Sequence, residues 1–143
     1  MSLNFSKAVS AGIAGTIVMT IIAGFVAPMM GMPPMNPADM LAGQMGGSML
    51  LGYVAHFMIG IVLALGYALL APSLPGATWM RGALYAVAPW LLAQVAIMPM
   101  MGMPLFSGSM VMAGGSLFGH LMYGAVVGAV YGVPMARARP AHA

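Results

Sequence analysis

Two histidines, His56 and His120, are the side chains of this sequence best suited to hold a metal ion or a cofactor. Neutral imidazole is the commonest metal ligand in proteins and a frequent axial ligand of haem iron. Residues four positions apart share one face of an α-helix, and both histidines share such a face with small residues. The two faces are Gly52, His56, Gly60, Ala64, Ala68 and Ser116, His120, Gly124, Gly128, Gly132. We therefore expect both histidines to face one site.

The first chemistry that these residues suggest is a b-type haem with His56 and His120 as axial ligands. Small residues beside each histidine would make room for the flat macrocycle. The predicted cofactor-binding residues are His56, His120, Gly52, Gly60, Ser116 and Gly124. No Arg or Lys lies near this level for the propionates, so loop amides or the side chains of Gln44, Ser48 and Ser107 would have to serve. Such a protein would transfer electrons, alone or with a larger membrane redox complex or a quinone.

The second chemistry is Cu(I) binding, because thioether and imidazole ligands suit this soft ion. The chain contains 19 methionines. The alternative copper ligands are Met29, Met30, Met100 and Met101, together with the two histidines. The methionine pairs are predicted near the membrane surface, whereas the histidines lie about 10 Å deeper by the rise of a helix. A relay of sites, with Met outside and His inside, would connect the two levels.

A third interpretation needs no cofactor. Small residues at four-residue spacing let membrane helices approach closely, so the two faces also suit helix packing in an accessory or assembly subunit of a membrane complex. Gln94 is then expected to hydrogen-bond across helices. Acid–base or hydrolytic catalysis is not expected, because Asp39 is the one carboxylate side chain and there is no Cys. We predict no catalytic residue, and a binding protein or electron carrier rather than an enzyme.

Composition places these residues in a membrane. Hydrophobic residues make up 62% of the chain and charged residues 3%, whereas soluble domains have about 25% charged residues. Most of the surface must therefore contact the lipid bilayer. A homo-oligomer formed through part of this surface is a further expectation. The basic residues are too few and too scattered for a nucleic-acid interface.

Four apolar stretches are each long enough to cross a bilayer, which takes about 20 residues. They cover approximately 8–30, 49–71, 80–101 and 112–133. A short surface helix is predicted over about 37–45, with Asn36 as its cap. Lys7, Arg81, Arg137 and Arg139 all fall on one side of this arrangement. The positive-inside rule makes that side cytoplasmic, together with both termini.

The segment PMMGMP occurs at 28–33 and again at 99–104, and it reveals an internal repeat. A shift of 71 residues superposes the two segments, and a shift of 64 superposes His56 on His120. The repeats cover about 7–71 and 78–134 of a single membrane domain. The predicted fold is an all-α, integral membrane four-helix bundle from a tandem duplication of a two-helix hairpin. A pseudo-twofold axis along the membrane normal would relate the copies.

These motifs resemble a family of small bacterial four-span membrane proteins. The matching stretches are P-M-M-G at 28–31 and 99–102, H-F-x-I-G at 56–60 and G-H-L-x-Y-G at 119–124. Members commonly carry a Lys shortly after P-M-M-G-x-P, where this chain is uncharged. The resemblance implies a bacterial inner-membrane location and four spans, and it implies no activity. The histidines on facing helices also give a weaker analogy to membrane cytochromes b.

Overall fold

The computed structural model describes residues 3–132, and in that range it contains α-helices, π-helical and 3₁₀ turns but no strand. Four helices are long and apolar enough to cross a membrane: Phe5–Met29, Met49–Ser73, Thr78–Met100 and Met110–Tyr131. We call them the first to fourth spans. The prediction of an all-α four-helix bundle is confirmed, and the ends of the spans differ from the predicted ones by at most three residues. The protein is thus a multi-pass membrane protein.

The predicted surface helix is also present. It covers Pro37–Gln44 and packs against the second span. The side chain of Asn36 accepts a hydrogen bond from the backbone N–H of Ala38 at 3.0 Å, as an N-cap does. Ser48 and Ser109 cap the second and fourth spans in the same way. The predictions for Arg137 and Arg139 lie outside the described residues.

A proline gives the first and third spans the same local distortion. The first span changes from α-helix to a π-helical turn at Ile22–Val26, and the third does so at Ala93–Ile97. Pro28 lies two residues after the first of these turns, and Pro99 lies two residues after the second. Proline lacks an N–H and its ring crowds the preceding turn, so the backbone widens there. Two residues after these spans end, Gly31 and Gly102 have φ angles of 81° and 80°, a conformation that favours glycine.

Within each hairpin, the two spans touch through glycines. A Cβ atom on Gly12 would lie 2.8 Å from Cα of Ile61 and 2.9 Å from the carbonyl oxygen of Gly60. In the second hairpin, a Cβ atom on Gly82 would collide with the carbonyl oxygen of Gly124. Gly60 and Gly124 are related by the shift of 64 residues, so the two hairpins are closed by equivalent contacts.

The bundle is not symmetric, because the two hairpins pack closely along one side only. The first span packs on the fourth, whereas the second and third spans barely touch. Gly15 lets the fourth span approach: a Cβ atom there would lie 2.8 Å from both Tyr123 and Val127. Between the second and third spans, the hydroxyl oxygen of Tyr85 would lie 2.6 Å from a Cβ atom on Gly66. The ring of Tyr85 takes up the space between these two spans.

The tightly packed core fills the half of the bundle opposite to the PMMGMP segments. It contains Ala8, Ala11, Ala64, Tyr67, Ala68, Ala71, Tyr123, Val127 and Tyr131. At its far end, Arg81 donates hydrogen bonds to the carbonyl oxygens of Gly76 at 2.7 Å and Ala71 at 3.2 Å. Lys7 lies at the same end, close to Gly132. We call this the Arg81 end and the opposite one the PMMGMP end.

Candidate functional site

A cavity of about 420 Å³ lies between the four spans at the PMMGMP end. All four spans contribute to its walls, and the segments that follow the first and third spans contribute to its mouth. His56 and His120 both line it. They come from the second and fourth spans, which face each other diagonally across the bundle. The structure therefore brings the two predicted histidines into one space.

The protonation of His120 follows from its hydrogen bond. Its Nδ1 lies 2.8 Å from the carbonyl oxygen of Ser116, one turn earlier in the same helix. A carbonyl can only accept, so Nδ1 carries the proton and donates it. Nε2 is then the nitrogen with a free lone pair, and the carbonyl fixes the orientation of the ring as such partners do in metal sites.

His56 is held differently. Its Nε2 lies 3.2 Å from the hydroxyl oxygen of Thr20 on the first span. The Thr20 hydroxyl already donates to the carbonyl oxygen of Thr16 at 2.8 Å, so it acts as an acceptor towards His56. The Nε2–H of His56 is then the donor, and Nδ1 keeps its lone pair. The two rings therefore offer different nitrogens to a ligand.

Methionine is the most frequent residue type around the cavity. Seven methionines line it: Met19, Met35, Met40, Met98, Met101, Met103 and Met112. Met19 lies at the level of His120, because a Cβ atom on Gly119 would be 3.7 Å from the Met19 side chain. Of the four methionines predicted as copper ligands, only Met101 lines the cavity. Met29, Met30 and Met100 are 87%, 68% and 82% exposed.

The predicted glycine positions divide into two kinds. Gly60 lines the cavity, but a Cβ atom on it would collide with the Thr16 hydroxyl, so it also serves helix packing. Gly52 and Gly124 are not part of the lining. A Cβ atom on Gly52 would collide with the carbonyl oxygen of Ala38 in the surface helix, and Gly124 touches Gly82. These glycines bring helices together around the cavity.

Ser116 lines the cavity and belongs to a polar chain. Its hydroxyl oxygen accepts a hydrogen bond from the amide nitrogen of Gln94 at 3.3 Å. Ser107 donates to the amide oxygen of Gln94 at 3.1 Å. The predicted interhelical hydrogen bond of Gln94, which is 0% exposed, is thus confirmed. The chain ties the segment after the third span to the wall of the cavity.

Charge is distributed unequally between the two ends. Asp39, which is exposed, and Asn36 line the mouth of the cavity. Lys7 and Arg81, the basic residues among those described, lie at the other end. No group of three or more His, Asp or Glu side chains comes together within residues 3–132. The donor groups that the cavity adds to the two histidines are chiefly the thioethers of methionine.

The comparison with known proteins gives a family for the chain. The model of a "Family of unknown function (DUF6789)" matches residues 3–142. The chain belongs to the DUF6789 family. No curated protein and no solved structure matches it.

Part of the cavity lining of this DUF6789 protein could have been predicted from helical spacing in the sequence. Counting back by four from His120 reaches Ser116 and then Met112, so the helical face that carries the histidine extends to a sulfur ligand. Met98 follows Gln94 by four residues in the third span. Met19 and Thr20 had no comparable signal, because methionine and threonine suit lipid-facing and packed positions equally well.

Proposed function

We propose that this protein binds Cu(I), or another soft monovalent metal ion, in the cavity at the PMMGMP end. One observation carries the proposal: seven methionines and two histidines line one cavity between the four spans. Thioether and imidazole are ligands that select Cu(I) over hard cations. The absence of Cys leaves methionine as the sulfur donor of this chain.

Each histidine has a definite part in this proposal. His120 presents Nε2, because its Nδ1–H is bonded to the Ser116 carbonyl. Met19 lies at the same level and supplies a thioether. His56 binds through Nδ1, or through Nε2 if its hydrogen bond to Thr20 is given up. The largely apolar lining limits competition from water for the metal ion.

The charges support a cation rather than an anionic cofactor. Asp39 lies at the mouth, so its field attracts a metal ion and opposes the two propionates of a haem. The described basic residues, Lys7 and Arg81, are at the far end. A monovalent ion costs less to bury than a divalent one, and Asp39 at the mouth supplies a negative charge near it.

A b-type haem is the second candidate, and the diagonal placement of His56 and His120 favours it. Two imidazoles on facing helices suit an iron between them. The protein would then serve electron transfer, with a redox complex or a quinone as partner. Asp39 at the mouth and the close helix contacts of Gly52 and Gly124 make this the weaker proposal. A cofactor-free accessory subunit is the alternative to both.

The proposed location is a bacterial inner membrane. Lys7 and Arg81 lie at one end of the bundle and Asp39 at the other. The positive-inside rule places the Arg81 end in the cytoplasm. The cavity then opens on the opposite, extracytoplasmic side.

An absorption spectrum, metal analysis and a silver(I) titration of the detergent-purified protein test these proposals together. We expect no Soret band and a stoichiometric soft metal ion, with silver(I) affinity at least tenfold lower in His120→Ala and His56→Ala. Met100→Leu, an exposed position, is the control and should bind as the wild type does. A Soret band that disappears in either histidine variant would establish haem instead. A colourless protein that binds no metal would refute both proposals and leave the accessory role.

A further inference from the structure

We infer that the cavity is accessible from the PMMGMP side only, so that its ligand is received and released on the same side of the membrane. For the identity of the ligand as a metal ion, this inference rests on the proposed function. It makes the protein a store or donor of the ion rather than a transporter.

The floor of the cavity is closed by a hydrogen-bonded tyrosine. Tyr123 lines the cavity, is 2% exposed, and reaches across from the fourth span to the second. Its hydroxyl donates to the carbonyl oxygen of Gly60 at 2.5 Å. The edge of the ring packs on Gly15 of the first span, where it would lie 2.8 Å from a Cβ atom built on that glycine. Three spans are therefore locked together around this side chain.

Below the floor, the bundle offers an ion neither space nor ligands. Tyr67, Val127, Ala64, Ala11 and Ala8 are each 0% exposed. The described core cluster consists of Ala, Val and Tyr side chains, and the methionine packed against it, Met19, lies at the level of His120 above the floor. The hydroxyl of Tyr67 is already bonded to the carbonyl oxygen of Thr78 at 3.2 Å. A charge that crossed this layer would lose its ligands in a medium of low polarity, which is prohibitive without compensation.

The gap between the second and third spans does not provide an alternative path for ions. Its walls are apolar: Ile59 of the second span and Ile97 of the third both line the cavity, and they are 46% and 43% exposed. In a membrane this surface faces lipid, which excludes ions. Polar and sulfur groups are instead concentrated at the mouth, where Asn36, Asp39 and Met103 lie.

One-sided access determines the kind of partner that the protein needs. A donor site and an acceptor site must both be reachable from the PMMGMP side. The class of reaction that consumes the ion is therefore metal insertion into a site facing the same compartment, in a membrane or extracytoplasmic protein.

Single cysteines can test the access directly, because the chain contains no Cys. Gly119→Cys lies in the cavity wall and has room, since the nearest atom to its Cβ is 3.7 Å away; Met112→Cys is a second reporter nearer the mouth. Val127→Cys reports on the core below. Each is treated with a membrane-impermeant thiol reagent in right-side-out and in inverted vesicles. We expect Gly119→Cys and Met112→Cys to react from the PMMGMP side only, and Val127→Cys from neither. Reaction of Gly119→Cys from the Arg81 side or from neither side, or any reaction of Val127→Cys, would overturn the inference.

Silver(I) uptake separates this inference from the proposed function. Wild-type protein in sealed vesicles should bind silver(I) without raising the luminal silver above that of protein-free vesicles. Luminal accumulation would refute one-sided access while metal binding stood. Absence of silver binding, with the labelling pattern as expected, would refute metal binding while one-sided access stood.

Discussion

At the scale of single residues, the position of a methionine matters more than the number of methionines. The segment PMMGMP draws attention by its sulfur content, yet Met29, Met30 and Met100 point away from the cavity and are mostly exposed. Met19, which stands in no motif, lies at the level of His120. Methionine is apolar and flexible, so its sequence context does not tell a ligand from a side chain that faces lipid.

Met19→Leu is the sharpest test at this scale. Leucine keeps the volume and the apolar character but removes the thioether, so we expect silver(I) affinity to fall at least tenfold while the protein remains folded. Met30→Leu, directly after the same span, is the matched control, because Met30 is 68% exposed and does not line the cavity. Equal affinities of the two variants in a silver(I) titration would remove Met19 from the site.

The histidines show how far residue spacing could predict the site. Their shared helical face and the shift of 64 residues predict that they meet, and both line the cavity. The spacing could not predict their hydrogen-bond partners. Thr20 belongs to another span, and Ser116 holds His120 through its backbone carbonyl, a group that every residue has.

At the scale of helices, hydropathy predicted the spans well because about 20 apolar residues in a row have few other uses. The function of the two faces of small residues around His56 and His120 was ambiguous, because glycine makes room equally for a cofactor and for a neighbouring helix. In the structure, Gly124 packs directly against Gly82, and Gly52 packs against the carbonyl oxygen of Ala38. Only the packing of the partner helix decides between the two uses, and that information is not local in the sequence.

Gly124→Ala tests the glycine contact between the third and fourth spans. The added methyl would collide with the backbone of Gly82, which cannot move aside as a side chain can. We expect a loss of roughly 1–3 kcal/mol in the free energy of unfolding, typical of overpacking. Thermal unfolding in detergent, or steric trapping in bicelles, would measure it.

Gly114→Ala is the control for that substitution. It lies in the same span, and no atom lies within 4 Å of where its Cβ would be. Alanine should be neutral there or stabilise the helix by up to about 1 kcal/mol. If both variants unfold like the wild type, the contact between Gly82 and Gly124 is looser than described.

At the scale of the whole molecule, the two ends differ in charge, polarity and packing. The Arg81 end carries the described basic residues above a closed core, whereas the PMMGMP end carries Asp39, the mouth and the strained segment that follows the third span. In that segment, Phe106 and Ser107 have φ angles of 53° and 58°, which residues other than glycine rarely adopt. Ser107 is held there by Gln94, so strain and cavity lie at the same end.

The orientation in the membrane can be measured with two cysteines. Gln44→Cys lies at the end of the surface helix and Ser73→Cys at the end of the second span, and both positions are exposed. Because the Arg81 end carries Lys7 and Arg81, we expect Gln44→Cys to react with an impermeant reagent on intact spheroplasts. Ser73→Cys should react only after the membrane is opened. The reverse pattern would place the cavity on the cytoplasmic side.

The single seam between the hairpins has a consequence for how the chain assembles. The contact between Gly15 and Val127 joins residues 112 positions apart, whereas Gly12 and Gly60 lie within one hairpin. Contacts close in the chain form early, and distant ones wait for the intervening chain. Each hairpin can therefore close soon after its second helix enters the bilayer. The cavity, whose walls need all four helices, comes into being only when the last helix joins the first, so premature chain termination would leave a hairpin in the membrane without any binding site.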